Sequence, residues 1–567
     1  MSAPLDLRDI QGNILRAYGR YGYPHARYFL FHIGHAQGGR QLIRNLVPRV
    51  TTAERWADPN DPHNGAVIER PKTTLNLALT WTGLRALDLP TVTLSHLPRE
   101  FIDGMARRSH ILSDVGLSAH KHWDKVWRNS LSNVASADIH MLVSVSSQML
   151  PNGDPVPEME DVTDWLREEG RQEGVALLKG HGAEGAEGAD YQQAGSRLVD
   201  TPTGGMRIDG QEHFGYEDGI GNPVFAGQYP PEIEAKRVIG RGKIMPDQSW
   251  APLATGEFLI GHVDESQELP FATQPPRFMH NGTFLAFRKL HENVGKYDQY
   301  IEAQAKTYAR YNHVSKSEAS LTIRAKMVGR WPNGVPLMAA PTYADMKQFE
   351  AEWFDIDAIK AKSGNRTPVE QARLDAYKQV LIDFKYRDDR TGARCPISAH
   401  IRRGNMRDML DPRMDSPNPK NWNGSALTNR RRILRRGLPY GTFDPDDRDD
   451  KTERGVIFIA MCANLFRQFE FVLQQWINYG LDFSMGNDNC PLLGYHHEFD
   501  KSSENYPRAG AEQQGSKFMI QTDPDGGTNP WVLNDLPQFV VARGGDYFFV
   551  PSINTLNMIS LGVVDPT

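Results

Sequence analysis

The stretch HARYFLFHIG, His25–Gly34, reads as a strand that carries core residues. Outward from it, Thr73–Thr80 alternates, with Leu75, Leu77 and Leu79 on one face, and Ile139–Val145 alternates, with Ile139, Met141, Val143 and Val145 together. A period of two is the pattern of a strand with one buried face. Helical stretches lie between, at Thr82–Leu89 and Glu158–Glu173. Strand runs separated by helices indicate antiparallel sheet with helices packed on it, an α+β arrangement.

The second half repeats this plan without residue-level similarity, so any duplication is architectural. Glu257–His262 and Thr283–Leu290 are expected strands, and His291–Asn312 a long helix. Gly455–Cys462 (GVIFIAMC) is an expected buried strand. It leads into Asn464–Tyr479, where Phe469, Val472, Leu473 and Trp476 fall at helical spacing. Another apolar stretch is Phe539–Val550. Gly180–Gly205 is rich in Gly, Ala and polar residues and reads as a solvated loop, which sets the expected domains at 1–205 and 206–567. Ala361–Asp389, Asp411–Arg432 and Phe499–Pro537 read as polar loops.

Over 567 residues the chain is 39% hydrophobic and 24% charged, ordinary for a soluble globular protein. Its net charge of -6 argues against a general nucleic-acid binder. Cys395, Cys462 and Cys490 are an odd, sparse set, neither a disulfide framework nor a zinc or iron–sulfur pattern, and imply a reducing compartment. MSAPLDLRDIQGNIL has no basic start followed by an apolar core, and no apolar run is long enough to span a bilayer. A cytoplasmic protein without membrane partners is expected. No GxSxG, HExxH or P-loop pattern supports a hydrolase.

Three segments carry chemistry. Phe214–Pro223, FGYEDGIGNP, sets Gly215, Gly219 and Gly221 around Glu217 and Asp218. Alone it is a turn. With a ligand, such glycines let backbone and acid approach closely. Cys395–Asp408, CPISAHIRRGNMRD, places His400 beside Arg402, Arg403 and Arg407. A lone His is more often structural, but arginines suit the propionates of a haem, whose iron takes a neutral imidazole. Asn429–Gly441, NRRRILRRGLPYG, holds five arginines in seven positions, alone a basic face.

Together and in this order the three resemble the dye-decolourising peroxidase family: its GxxDG as Gly215–Gly219, its proximal-histidine segment as His400–Arg403, and its distal arginine motif as Arg435–Gly441. Asp9–Leu15, Met327–Trp331, Arg467–Phe471, Gly486–Asp488 and Arg543–Phe548 resemble further family stretches. The resemblance implies two ferredoxin-like halves, with haem b, one per chain, held mainly by the C-terminal half. It implies His400 as the iron ligand and Asp218 and Arg435 as the catalytic pair on the opposite face. Gly219, Ile220, Arg402 and Arg435 are expected at the cofactor. Asn464 and Glu470 compete as the acceptor behind His400.

The implied activity is reduction of hydrogen peroxide and oxidation of dyes and phenolics through a high-valent iron–oxo intermediate. The alternative is a haem-handling protein without turnover. Expected partners are peroxide and organic reductants, with homo-oligomerisation left open. Free Asp titrates near ~3.9 and free His near ~6.5, so an Asp base predicts an optimum below neutrality. Trp331, Trp476 and Tyr440 are read as packing residues before electron relays.

Overall fold

The computed structural model describes residues 4–57, 68–128, 138–182, 188–201, 204–270, 275–362, 366–414, 416–483, 485, 488–496, 516–521 and 527–564. Ten strands form one antiparallel sheet. Those of the first half are β1 (His25–Ile33), β2 (Thr73–Leu79), β3 (Met141–Ser147), β4 (Val175–Leu177) and β5 (Gln192–Gly195). Those of the second are β6 (Thr283–Glu292), β7 (Leu434–Arg435), β8 (Leu438–Tyr440), β9 (Gly455–Cys462) and β10 (Val540–Val550). The order is β7-β9-β6-β10-β2-β3-β1-β4, with β8 also on β9 and β5 also on β1.

This order contains the same unit twice. Within β2-β3-β1-β4, helix Ala36–Leu46 follows β1 and helix Glu158–Glu169 follows β3, which is the ferredoxin-like βαββαβ path. In β7-β9-β6-β10, counting β7 and β8 as one interrupted strand along β9, the second, third, first and fourth strands of the half take the corresponding places. The halves join where Phe549 of β10 pairs with Leu79 of β2. At the other seam, Tyr191, Gln192 and Ser196 face Tyr440, Phe443 and Glu453 across a cavity of about 540 Å³. The core crosses the halves: Tyr28 of β1 meets Phe287 of β6 edge-on at 5.5 Å, and Trp127 stacks on Phe287 at 5.2 Å.

The opening motif is a clasp. Gln11, fully buried, donates to Leu77 O and Pro551 O, both at 2.9 Å, and accepts from Leu77 N and Asn76 Nδ2. Asp9 accepts from Asn281 Nδ2 and Asn554 N, both at 2.8 Å. The carbonyls of Asn13 and Ile14 accept from Arg436. Helix Ile553–Leu561 crosses to the first half, where Arg44 donates to Ser560 O at 2.9 Å.

Three expectations are corrected. Glu257–His262 is no strand: a 3-10 turn over Thr255–Glu257 runs into further turns. Phe258, Leu259 and Ile260 are all buried, so nothing alternates, and a side chain at Gly256 would strike the His262 carbonyl at 2.2 Å. Ala361–Asp389 contains helix Pro368–Ile382, whose Thr367 and Glu370 form a capping box with Pro at the first turn. Gly180–Gly205 contributes β5 and a strand, Arg197–Asp200, paired with Met206–Asp209. Most of Phe499–Pro537 and both Gly486 and Asn487 lie outside the described residues. Among the described residues no helix is long and apolar enough to cross a membrane.

Candidate active site

Asp218 is delivered by a tight turn. Glu212 N donates to Tyr216 O at 3.0 Å, Gly215 N to Glu212 O at 2.9 Å, and Asp218 N to Gly210 O at 2.9 Å. Gly215, Gly219 and Gly221 have φ of +86°, +71° and +80°, a conformation open to glycine at little steric cost. Asp218 is thereby exposed, and its Oδ1 accepts from Arg435 Nη1 at 2.8 Å. Arg435 is fixed twice more: its N–H donates to Asn222 Oδ1 at 3.0 Å and its Nη2 to Ile220 O at 3.2 Å. Strand β7 pairs with β9 through Arg435 and Ala460, so the sheet edge sets this guanidinium. The adjacent Arg436 is spent on the opening clasp.

His400 starts the short helix His400–Gly404. Its Nδ1 lies 3.3 Å from Cys490 Sγ, and Nε2 has no partner among the described residues. Burial alone would lower the imidazole pKa, but the attraction and hydrogen bond of Cys490 outweigh it, and the pKa is raised. Burial would push the Cys490 thiol up, and His400 pulls it below its usual value. Arg435 and Asp218 both act electrostatically on His400, so the three side chains lie within electrostatic reach of one another. The 540 Å³ cavity of the sheet seam is separate and includes none of them.

The remaining expected residues divide. Gly219 lies in the turn, and Ile220 supplies a carbonyl to Arg435. Arg402 is corrected. It is fully buried and donates to Asp389 Oδ2 at 3.0 Å, Asp389 O and Cys395 O at 2.7 Å, and Met409 Sδ at 2.8 Å. Such a guanidinium braces the loop before His400 and offers a propionate nothing. Replacing one partner of a buried ion pair strands the other. Arg402→Met is therefore expected to cost about 3–5 kcal/mol in urea unfolding. A fall in haem uptake at unchanged stability would restore the propionate role.

Neither expected acceptor behind His400 is in place. Asn464 Oδ1 caps the following helix by accepting from Arg467 N at 2.7 Å. Glu470 is clamped by Arg108 at 2.6 and 2.7 Å and by the Tyr547 hydroxyl at 2.8 Å. Cys490 takes that place, 90 residues from His400, and no spacing in the sequence points to it. The helical stretch after Asn464 is wound as π-helix over Leu465–Glu470 and Val472–Ile477. The carbonyl of Trp476 in its last turn and that of Tyr479 just beyond its end accept from Arg403 at 2.7 and 3.1 Å, which ties it to the His400 helix. Trp331, Trp476 and Tyr440 are all buried, at 3% exposure or less.

A family profile described as the DyP dimeric alpha+beta barrel domain matches residues 9–152. Peroxidase 2 of Mycetinis scorodonius is 26% identical over 568 residues, covering 98% of this chain and 88% of that protein. The solved structure of an ancestral D-type dye decolorizing peroxidase is 25% identical, with a TM-score of 0.64 over 98% of this chain and 99% of that one. Over nearly its whole length the chain is similar to dye-decolourising peroxidases, and residues 9–152 match their dimeric alpha+beta barrel domain. The DyP-type peroxidase of Auricularia auricula-judae, at 21% identity, shares the fold with a TM-score of 0.64 over 99% of this chain and all of that one.

The residues present fit the haem that dye-decolourising peroxidases bind. His400 Nε2 has no partner among the described residues, and side chains added at Gly215 or Gly221 would meet nothing within 4 Å, so open space flanks the turn that carries Asp218.

Proposed function

We propose that this protein is a dye-decolourising peroxidase, binds one haem b per chain through His400 and uses it to reduce hydrogen peroxide at the expense of dyes and phenolics. The carrying observation is the Asp218–Arg435 pair, which sits within electrostatic reach of a histidine whose Nε2 is uncommitted. When bound, haem supplies the redox-active iron. His400 Nε2 is the ligand, and its Nδ1–H donates to Cys490, which orients the ring. The Asp218 carboxylate is the base that moves a proton from one peroxide oxygen to the other so that the second can leave as water; bound haem would supply the two electrons, which the organic donor replaces. The Arg435 guanidinium, held on Asp218, stabilises negative charge as the O–O bond breaks. Gly219 and Ile220 would line the cofactor on the Asp218 side.

One solved dye-decolorizing peroxidase holds 2,6-dimethoxyphenol, a donor of the class proposed here. The three cysteines are buried free thiols, which suits a cytoplasmic location. A net charge of -6 gives no basic surface for nucleic acid.

Absorption spectra of the pure protein before and after peroxide test this reading. A Soret band that shifts with peroxide and returns with 2,6-dimethoxyphenol is expected. A haem-free protein, or a band indifferent to peroxide, overturns it. Cys490→Ala removes the acceptor behind the ligand and is expected to weaken hemin binding about 10–100-fold, measured by titrating the apoprotein.

A further inference from the structure

Behind the Asp218 turn lie two carboxyl groups that the mechanism does not use. Glu212 spans the turn from inside: one oxygen accepts from Phe214 N at 2.8 Å, the other from Tyr216 N at 2.9 Å. Asp218 follows two residues after Tyr216. Glu292 ends β6, is 5% exposed, and sets its carboxyl against that of Glu212. It also accepts from His213 N, while its Oε2 has no donor.

Ionised carboxyls only accept hydrogen bonds, so two can bond one another only when one carries a proton. Among the described residues neither joins an ion pair. The facing groups are Asp218 and Tyr216 from the turn, Tyr297 from helix Val294–Asn312, Arg324 from helix Lys316–Val328, and Tyr440 from β8. Arg324 is bound to Asp298, and the Tyr216 and Tyr297 hydroxyls bond each other at 2.5 Å.

We propose that Glu292 keeps its proton and donates it to Glu212, and that this buried pair positions the turn carrying Asp218. Glu212 is the natural acceptor, because both its oxygens already face N–H donors. Glu292 is the natural donor, because its Oε2 would otherwise be a buried charge without a partner. The electrostatics give the same assignment. Burial, and then the charge of Glu212, hold the Glu292 pKa well above the carboxylate range. Burial raises Glu212 only to about 7, against the pull of the two N–H groups, so Glu212 ionises first.

This role rests on the function proposed above, and its test separates the two. Infrared spectra of the wild-type protein at about pH 8, a unit above the Glu212 value, should show the carbonyl band of a protonated acid. The buried Asp546, pushed up by desolvation to about 6, is ionised there. Glu292→Gln should erase the band yet keep most of the peroxide rate, since its amide still donates to Glu212. Glu292→Ala removes the donor and should lose about 100-fold in the peroxide step, as should Glu212→Gln, whose amide confronts a backbone N–H. Hemin titration of each variant should give unchanged affinity. Absence of the acid band in the wild type, or equal rates for Glu292→Ala and Glu292→Gln, overturns the proposal. A wild-type band in a protein that never reduces peroxide supports the proton assignment and removes the function above.

Discussion

Asp218→Asn should slow peroxide reduction about 10²–10⁴-fold while leaving the haem spectrum of the resting protein in place. The amide keeps the shape of the side chain and its position on the turn, but cannot take a proton from peroxide. Arg435→Leu should cost about 10²–10³-fold, because it removes the charge that stabilises the departing oxygen. The two losses should not add. Arg435 Nη1 holds Asp218 at 2.8 Å, so removing either member also disturbs the other. Stopped-flow mixing with peroxide, followed at the Soret band, reads all three variants directly. Parent-like rates in Asp218→Asn would remove Asp218 from the chemistry, and additive losses in the double variant would separate the pair.

His400→Ala should abolish stoichiometric haem binding, because among the described residues no second histidine bonds Cys490. Purified variant protein should lack a Soret band, and hemin added to it should bind weakly without the signature of an axial imidazole. External imidazole should restore part of the spectrum, since His400→Ala leaves the volume of one ring vacant beside Cys490. The thermal midpoint should also lose its dependence on hemin concentration, because a group that binds only the folded state stabilises it by mass action. A full Soret band in His400→Ala would mean that another side chain carries the iron.

What the sequence made legible follows from the range of the interactions involved. Strand β9 was readable to the residue as Gly455–Cys462, because an apolar run in a central strand is a local signal. The matched segments around Asp218, His400 and Arg435 were readable for the same reason, since each is written in a few neighbouring residues. Helix Pro368–Ile382 was missed although its start was spelled out by Thr367, Pro368 and Glu370, because its polar composition was weighed above its capping signal. Arg402 misled because adjacency to His400 suggests the cofactor, whereas its partner Asp389 lies 13 residues earlier and becomes visible only in the fold. Cys490 and Glu292 are still less legible. Each meets its partner through tertiary packing across roughly 80 to 90 residues, a separation for which no spacing rule exists.

The clasp at Asp9–Ile14 and the central place of β10 bear on how the protein is made. During synthesis β2 and β6 both emerge long before β10, the strand that pairs with each of them. Until residue 550 clears the ribosome, each presents an unpaired edge of the kind that recruits other chains. Gln11 likewise waits some 540 residues for Pro551, and so forms one of the most distant contacts the chain can make. Final assembly therefore waits for β10 and is slow relative to local folding, and nascent chains stalled before β10 become clients for chaperones.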